Sequence, residues 1–144
     1  MRVTFDPPTD PAAYSFVHRL RVRFAETDAM GVVHHGAYLP YLESARVEYL
    51  RSLGHPYGEL RQEGIELPVI ELALRYLRPV RFDDVVDVHL VVASSSATTL
   101  QLGYLVTADG TARATAVTVH GVVSAGSGRP TRAPRWLANL ARRP

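Results

Sequence analysis

Residues 38–54 read YLPYLESARVEYLRSLG, and the fold turns on how they are read. Tyr38, Leu42, Ala45, Tyr49 and Leu53 recur at spacings of three and four, with Leu39 and Leu50 widening the stripe. That is the spacing of an amphipathic helix with one buried face. Gly54 is a suitable stop, because glycine takes the left-handed conformation that closes helices. Pro40 fixes the other end. It has no N–H to donate, so it belongs in the first turn, and the helix is expected to begin between about His35 and Leu39. His35 and Gly36 then mark the helix N-terminus.

Upstream of the helix, apolar Leu20, Val22 and Phe24 alternate with Arg19, Arg21 and Arg23, the period of a half-buried strand over residues 18–25. Before that strand, Pro7, Pro8 and Pro11 deny the backbone regular pairing, so residues 1–17 read as an irregular arm. Downstream, a turn-rich connector over residues 55–64 leads to four more expected strands, at 66–78, 84–93, 99–108 and 111–125. Turns fall near Pro79, at 94–96 and at Asp109-Gly110, the last a strong hairpin signal. Residues 127–144 form a basic tail with a short amphipathic piece around Trp136, Leu137 and Leu140. The main domain is thus expected over residues 18–126.

One strand, one long helix and four antiparallel strands make an α+β fold, a five-stranded antiparallel sheet wrapped around one central helix. One helix covers one face of a sheet. The other face and a sheet edge would stay partly apolar and open, so a homodimer or homotetramer is the expected way to bury them.

Composition narrows the chemistry. The 144 residues are 47% hydrophobic, enough for one domain with a substantial core. Sixteen basic against fourteen acidic residues leave +2, too weak a bias to call for nucleic acid. There is no cysteine, which removes disulfides, thiolate catalysis and sulfur-ligated zinc. No run of eighteen uncharged apolar residues occurs, and the start lacks a signal-peptide pattern; a soluble, cytoplasmic protein is the expectation.

The candidate chemistry lies just before the helix, in ETDAMGVVHHGAY, residues 26–38. Asp28 either stabilises a turn or acts chemically. Gly31 gives the loop freedom to bend back into the helix. The first N–H groups of a helix have no internal partners and carry partial positive charge, so the amides of His35, Gly36 and Ala37 are candidate donors to an oxyanion. A carboxylate and such donors joined by a glycine-containing loop are the minimum apparatus for acyl transfer. His34 and His35 are adjacent and expected to diverge, and no HxxxH or HExxH spacing occurs, so no metal site is expected. Glu43, on the helix, reads as a surface or interface ion-pair residue rather than a catalytic acid.

The run from Phe24 to Leu39, with the core D-x-x-G-V-V-x-H-x-x-Y from Asp28 to Tyr38, followed by Tyr41, Leu42, Glu43, Ser44, Ala45 and Arg46, resembles the signature of hotdog-fold acyl-CoA thioesterases. The likeness runs from about His18 to Ala125 and includes the later RPVRFDD turn, residues 78–84. It is nearest to the 4-hydroxybenzoyl-CoA thioesterase type and to its short-chain acyl-CoA branch associated with the Tol-Pal system. The resemblance implies a hotdog fold and hydrolysis of an acyl-CoA to free acid and CoA, with no metal or redox cofactor. It implies that Asp28 is the catalytic carboxylate, as nucleophile or as general base, and that the oxyanion donor is a backbone N–H at or next to His35. It further implies an active site between subunits. His34 stands where the resembled enzymes often carry an aromatic residue, which leaves acyl preference open. Coenzyme A brings phosphates, for which Arg75, Arg78, Arg81 and Arg113 are the candidate partners, with Arg129 and Arg132 of the tail within consideration. Readings from other classes are a non-catalytic acyl-CoA or acyl-carrier binding module and a hotdog hydratase or dehydratase.

Overall fold

The computed structural model describes residues 2–142. The helix stands where the sequence places it: α1 spans Tyr38–Ser52, preceded by a single 3-10 turn, His35–Ala37, with Pro40 in its first turn. Leu53 caps it and Gly54 follows at φ +85°, the left-handed conformation expected of the stop. Tyr38, Tyr41, Leu42, Ala45, Arg46, Tyr49 and Leu50 form its buried face. Arg46 is the unexpected member, and it lies four residues from both Leu42 and Leu50.

Five strands wrap around this helix. They are β1 (Phe16–Arg21), β3 (Val69–Tyr76), β4 (Val85–Ser95), β5 (Thr99–Ala108) and β6 (Thr111–Gly121), in the order β1-β4-β5-β6-β3 and antiparallel throughout. The short strands β2 (Ile65–Glu66) and β7 (Val123–Ser124) pair separately. Asp109 and Gly110 both take positive φ, as a tight hairpin between β5 and β6 requires. Val86, Val88, Leu90, Leu102, Tyr104 and Val106 point inward to α1 and are almost fully buried. The α+β, five-stranded, single-helix architecture therefore stands as expected of a hotdog fold.

Boundaries differ in four places. β1 starts two residues earlier than expected and stops at Arg21, because Phe24–Glu26 closes into a 3-10 turn held by the Arg23 and Glu26 side chains. The connector contains a short helix, α2 (Tyr57–Gln62), whose Leu60 is buried. The expected strand at 66–78 is broken at Pro68, which cannot donate to a ladder, and becomes β2 and β3. The expected strand at 111–125 likewise divides between β6 and β7. In the tail, α3 (Arg135–Ala138) buries Leu137, Leu140 follows it into the core, and Trp136 stacks flat on His55 with ring centres 3.5 Å apart. Arg143 and Pro144, the last two residues of that tail, lie outside the described residues.

Among the described residues the arm carries no strand before Phe16. It is extended, and Val3, Phe5 and Pro7 turn toward the outer face of the sheet. The amides of Arg2 and Val3 donate to the Glu71 carboxylate, and those of Thr4 and Phe5 donate to Gln101 Oε1. Phe5 packs on Gly103 so closely that a Cβ there would run into its ring. Tyr14 reaches the ring of His89. Its prolines bar the arm from joining the sheet as a strand, yet an extended backbone suits a strap across it. Leu105, Val117 and Val119, on the outer face, are buried within the single chain. This face was expected to need a second copy, and its centre does not.

Candidate active site

Asp28 sits at the start of a tight loop between the 3-10 turn Phe24–Glu26 and α1. Its carbonyl accepts the Gly31 amide at 3.0 Å, and its own amide donates to the Val32 carbonyl at 2.8 Å. Gly31 has φ +76°, a conformation costly for other residues, so it closes the loop. The side chain joins in: Asp28 Oδ1 accepts the Met30 amide at 2.9 Å and the Val32 amide at 3.4 Å. Oδ2 enters none of these bonds. One oxygen of Asp28 is thus spent on the turn.

The loop is pinned on both sides. The Val33 amide donates to the Val80 carbonyl at 2.7 Å and the His34 amide to the Glu26 carbonyl at 2.8 Å. Glu26 in turn accepts from the Arg23 amide and the Tyr41 hydroxyl. Burial pushes its carboxyl up, but those two bonds and the Arg23 guanidinium outweigh burial and hold it below the ordinary carboxylate range. The Tyr41 hydroxyl is pushed well above its ordinary value, chiefly by burial and then by Glu26. Glu26 is a fastening of the loop.

At the helix start, His34 has a role not read from the sequence. Its extended backbone makes it the cap of the His35–Ala37 turn, and its Nδ1 accepts the Gly36 amide at 3.1 Å. The Ala37 amide donates to the His34 carbonyl at 2.9 Å. Of the three candidate oxyanion donors, Gly36 and Ala37 are therefore engaged, and the His35 N–H is the one left over. The two histidine rings do not diverge as a regular strand or helix would make them: a cap followed by a 3-10 turn brings their centres to 4.0 Å. Among the described residues no three acidic or histidine side chains are grouped to share a metal ion.

Asp28 and His35 line one open pocket of about 340 Å³ together with Val33, Tyr38, Tyr76, Leu77, Arg78 and Pro79. Tyr76, on the free edge strand β3, donates its hydroxyl to the His35 carbonyl at 2.8 Å and meets Tyr38 edge to face. This fastening of helix start to sheet edge was not legible in the sequence. Burial, with Tyr76 as the next cause, raises the Tyr38 hydroxyl above its ordinary value.

The arginines divide. Arg78 lines the pocket. Arg113 spends its guanidinium on the Thr111 hydroxyl and the Pro79 and Ala108 carbonyls, so it holds the pocket wall in place. Arg81 is exposed on the neighbouring turn, where it bridges to Val32. Arg75 points to the outer face beside Asp6 of the arm, away from Asp28. Arg129 and Arg132 lie in the tail and not among the pocket residues. Glu43 lies exposed on α1, does not line this pocket, and forms no ion pair within the chain among the described residues.

Residues 22–140 match the family model of the thioesterase-like superfamily. A crystal structure of a hypothetical protein from Aquifex aeolicus superposes with a TM-score of 0.83 at 38% identity, over 88% of this chain and 99% of that one. The DHNA-CoA thioesterase from Staphylococcus aureus superposes with a TM-score of 0.80 at 28% identity, over 88% and 85% of the two chains. The acyl-CoA thioester hydrolase YbgC of Escherichia coli is 33% identical over 81 residues, which is 56% of this chain and 60% of YbgC. No helix among the described residues is long and apolar enough to cross a membrane.

Proposed function

This chain belongs to the thioesterase-like superfamily, and from that premise we propose that it hydrolyses acyl-CoA thioesters at the pocket shared by Asp28 and His35. The observation that carries the reading is the division of labour at the helix start. One carboxylate oxygen and one helix-terminal amide remain unspent, and Asp28 and His35 line the same open pocket.

The thioester carbonyl lies with its oxygen on the His35 N–H, which is reinforced by the partial positive charge of the helix start. The Asp28 carboxylate then either attacks the carbonyl carbon, giving a mixed anhydride that water opens, or takes a proton from a water that attacks directly. In both routes the C–S bond breaks with its electron pair on the CoA sulfur, which takes up a proton derived from the water. The water oxygen ends on the free acid when water attacks the acyl carbon, or on Asp28 when it opens the anhydride at the Asp28 carboxyl carbon. The reaction asks for no metal or redox cofactor, and coenzyme A enters as part of the substrate. Arg78, at the pocket, is the best placed of the arginines for a CoA phosphate.

The pocket borders the end of β3, and Val69, Ile70, Leu72, Tyr76 and Leu77 are exposed along that free sheet edge. A second copy pairing there would bury these side chains and close the pocket, giving a homodimer with the site between subunits. Strapping of the outer face by the arm argues against stacking dimers through that face into a tetramer. The D-x-x-G-V-V-x-H-x-x-Y core and the likeness to YbgC support a place near the 4-hydroxybenzoyl-CoA type and its Tol-Pal-associated branch, acting in the cytoplasm.

A thiol-release assay across short, long and aromatic acyl-CoAs tests the reading. Turnover of at least one class to free acid and CoA is expected. Saturable binding with no thiol released would contradict it and point to a binding module, while altered acyl unsaturation with the thioester intact would point to a hydratase.

A further inference from the structure

A second cavity, of about 240 Å³, lies between α1 and the inner face of β3, β5 and β6. Its walls are Leu39, Leu42, Val69 and Leu72, with the exposed Glu43 at the rim; Val69 and Leu72 are exposed on β3 and Leu39 on α1, so it opens beside the edge where the proposed second copy would pair. Its floor is polar. Tyr104, Thr118, His120 and Arg46 meet there, all buried to nine-tenths or more.

The proton directions on this floor are fixed by the chemistry of the partners. The Leu67 carbonyl only accepts, so His120 Nδ1 carries the hydrogen and donates to it at 3.0 Å. His120 Nε2 is then an acceptor, and it takes the Thr118 hydroxyl hydrogen at 2.8 Å. Thr118 Oγ1 in turn accepts from the Tyr104 hydroxyl at 3.1 Å. Every hydrogen of the chain is used internally. Burial, then Arg46, pushes the His120 imidazole down to about 4, so it stays neutral and keeps this arrangement.

Arg46 is the exception. It is 7% exposed, has no carboxylate partner, and its Nη1 is buried without a hydrogen-bond acceptor. Its guanidinium carbon lies 5.7 Å from the centre of the Tyr57 ring, a contact that accepts a cation but leaves Nη1 unmet. A buried unpaired donor is costly to keep. The floor thus offers an unspent donor with a positive charge; the acceptors near it are the Tyr104 oxygen and, at the exposed rim, the Glu43 carboxylate, which forms no ion pair with Arg46.

We propose that this cavity receives the far end of the acyl group and that Arg46 selects acyl groups ending in an acceptor oxygen, a carboxylate above all. The inference rests on the thioesterase reading and names the substrate class that reading leaves open. A site built to meet a polar group rejects the analogue lacking it, because its own buried donor is then left unpaired. The probes are two thioesters of equal chain length, adipyl-CoA and hexanoyl-CoA, one ending in a carboxylate and one in a methyl group.

The wild-type protein is expected to favour adipyl-CoA about tenfold or more in kcat/KM, Arg46→Lys to keep part of the preference, and Arg46→Met to bring the ratio near one. A wild-type ratio at or below one, or an Arg46→Met ratio equal to that of wild type, would overturn the proposal. Affinities of the same two thioesters for Asp28→Asn, measured by calorimetry, test it without turnover: the same preference is expected, and equal affinities would sink it. Absence of thiol release from either substrate, with the calorimetric preference intact, would instead remove the thioesterase reading and leave the cavity's selectivity standing.

Discussion

At Asp28 the fold and the proposed chemistry draw on different atoms of one side chain. Asparagine keeps an acceptor at Oδ1 for the Met30 and Val32 amides, whereas alanine leaves both unmet. Asp28→Ala should therefore lower stability by about 1 kcal/mol, and Asp28→Asn by far less, as read from chemical denaturation. Gly31→Ala meets no steric obstacle, since nothing lies near its Cβ, so its cost is the left-handed backbone alone, about 1 kcal/mol. At this scale the sequence showed Asp28, Gly31 and the helix start, because each follows from local backbone rules. It hid His34 as a cap and Arg46 as a buried cation. Arg46 was discoverable: it repeats the four-residue spacing of Leu42 and Leu50, and its charge masked its place in the stripe.

Among the elements, β6 carries a pH dependence. The folded His120 value of about 4 lies below the ordinary histidine value, so the unfolded chain binds a proton that the folded chain refuses. Stability is full above about pH 6.5, falls as pH drops toward 4, and levels below that; the loss is roughly 3 kcal/mol over the window. His120→Gln should flatten the melting temperature between those limits relative to wild type, and an unchanged slope would refute the assignment. The arm makes a separate prediction. Gly103→Ala forces Phe5 off β5 and should expose the arm to proteolysis while leaving the other face of the sheet packed on α1. Helix α1 and the Asp109-Gly110 hairpin were readable because period and turn chemistry are local. The breaks at Pro68 and Gly121, the six-residue α2 and the strap of the arm were not, since each depends on what the segment meets in space.

For the whole molecule, one helix against one sheet was enough to give the architecture, and the surplus apolar surface was enough to ask for a cover. What the sequence could not say was where the cover was needed. The arm takes the centre of the outer face, and the β3 edge is left. Ultracentrifugation is expected to find two copies, and Ile70→Lys, a charge placed on that edge, to shift the protein toward single chains. A wild-type protein that sediments as one chain at micromolar concentration would remove the between-subunit site. The central claim, that Asp28 performs the chemistry rather than only shaping its loop, is tested most directly by thiol release and acyl-CoA affinity measured together on Asp28→Asn. The account predicts a melting temperature and an affinity close to wild type with turnover reduced at least a hundredfold, as expected for loss of an acid–base or nucleophilic group; turnover equal to wild type would contradict it.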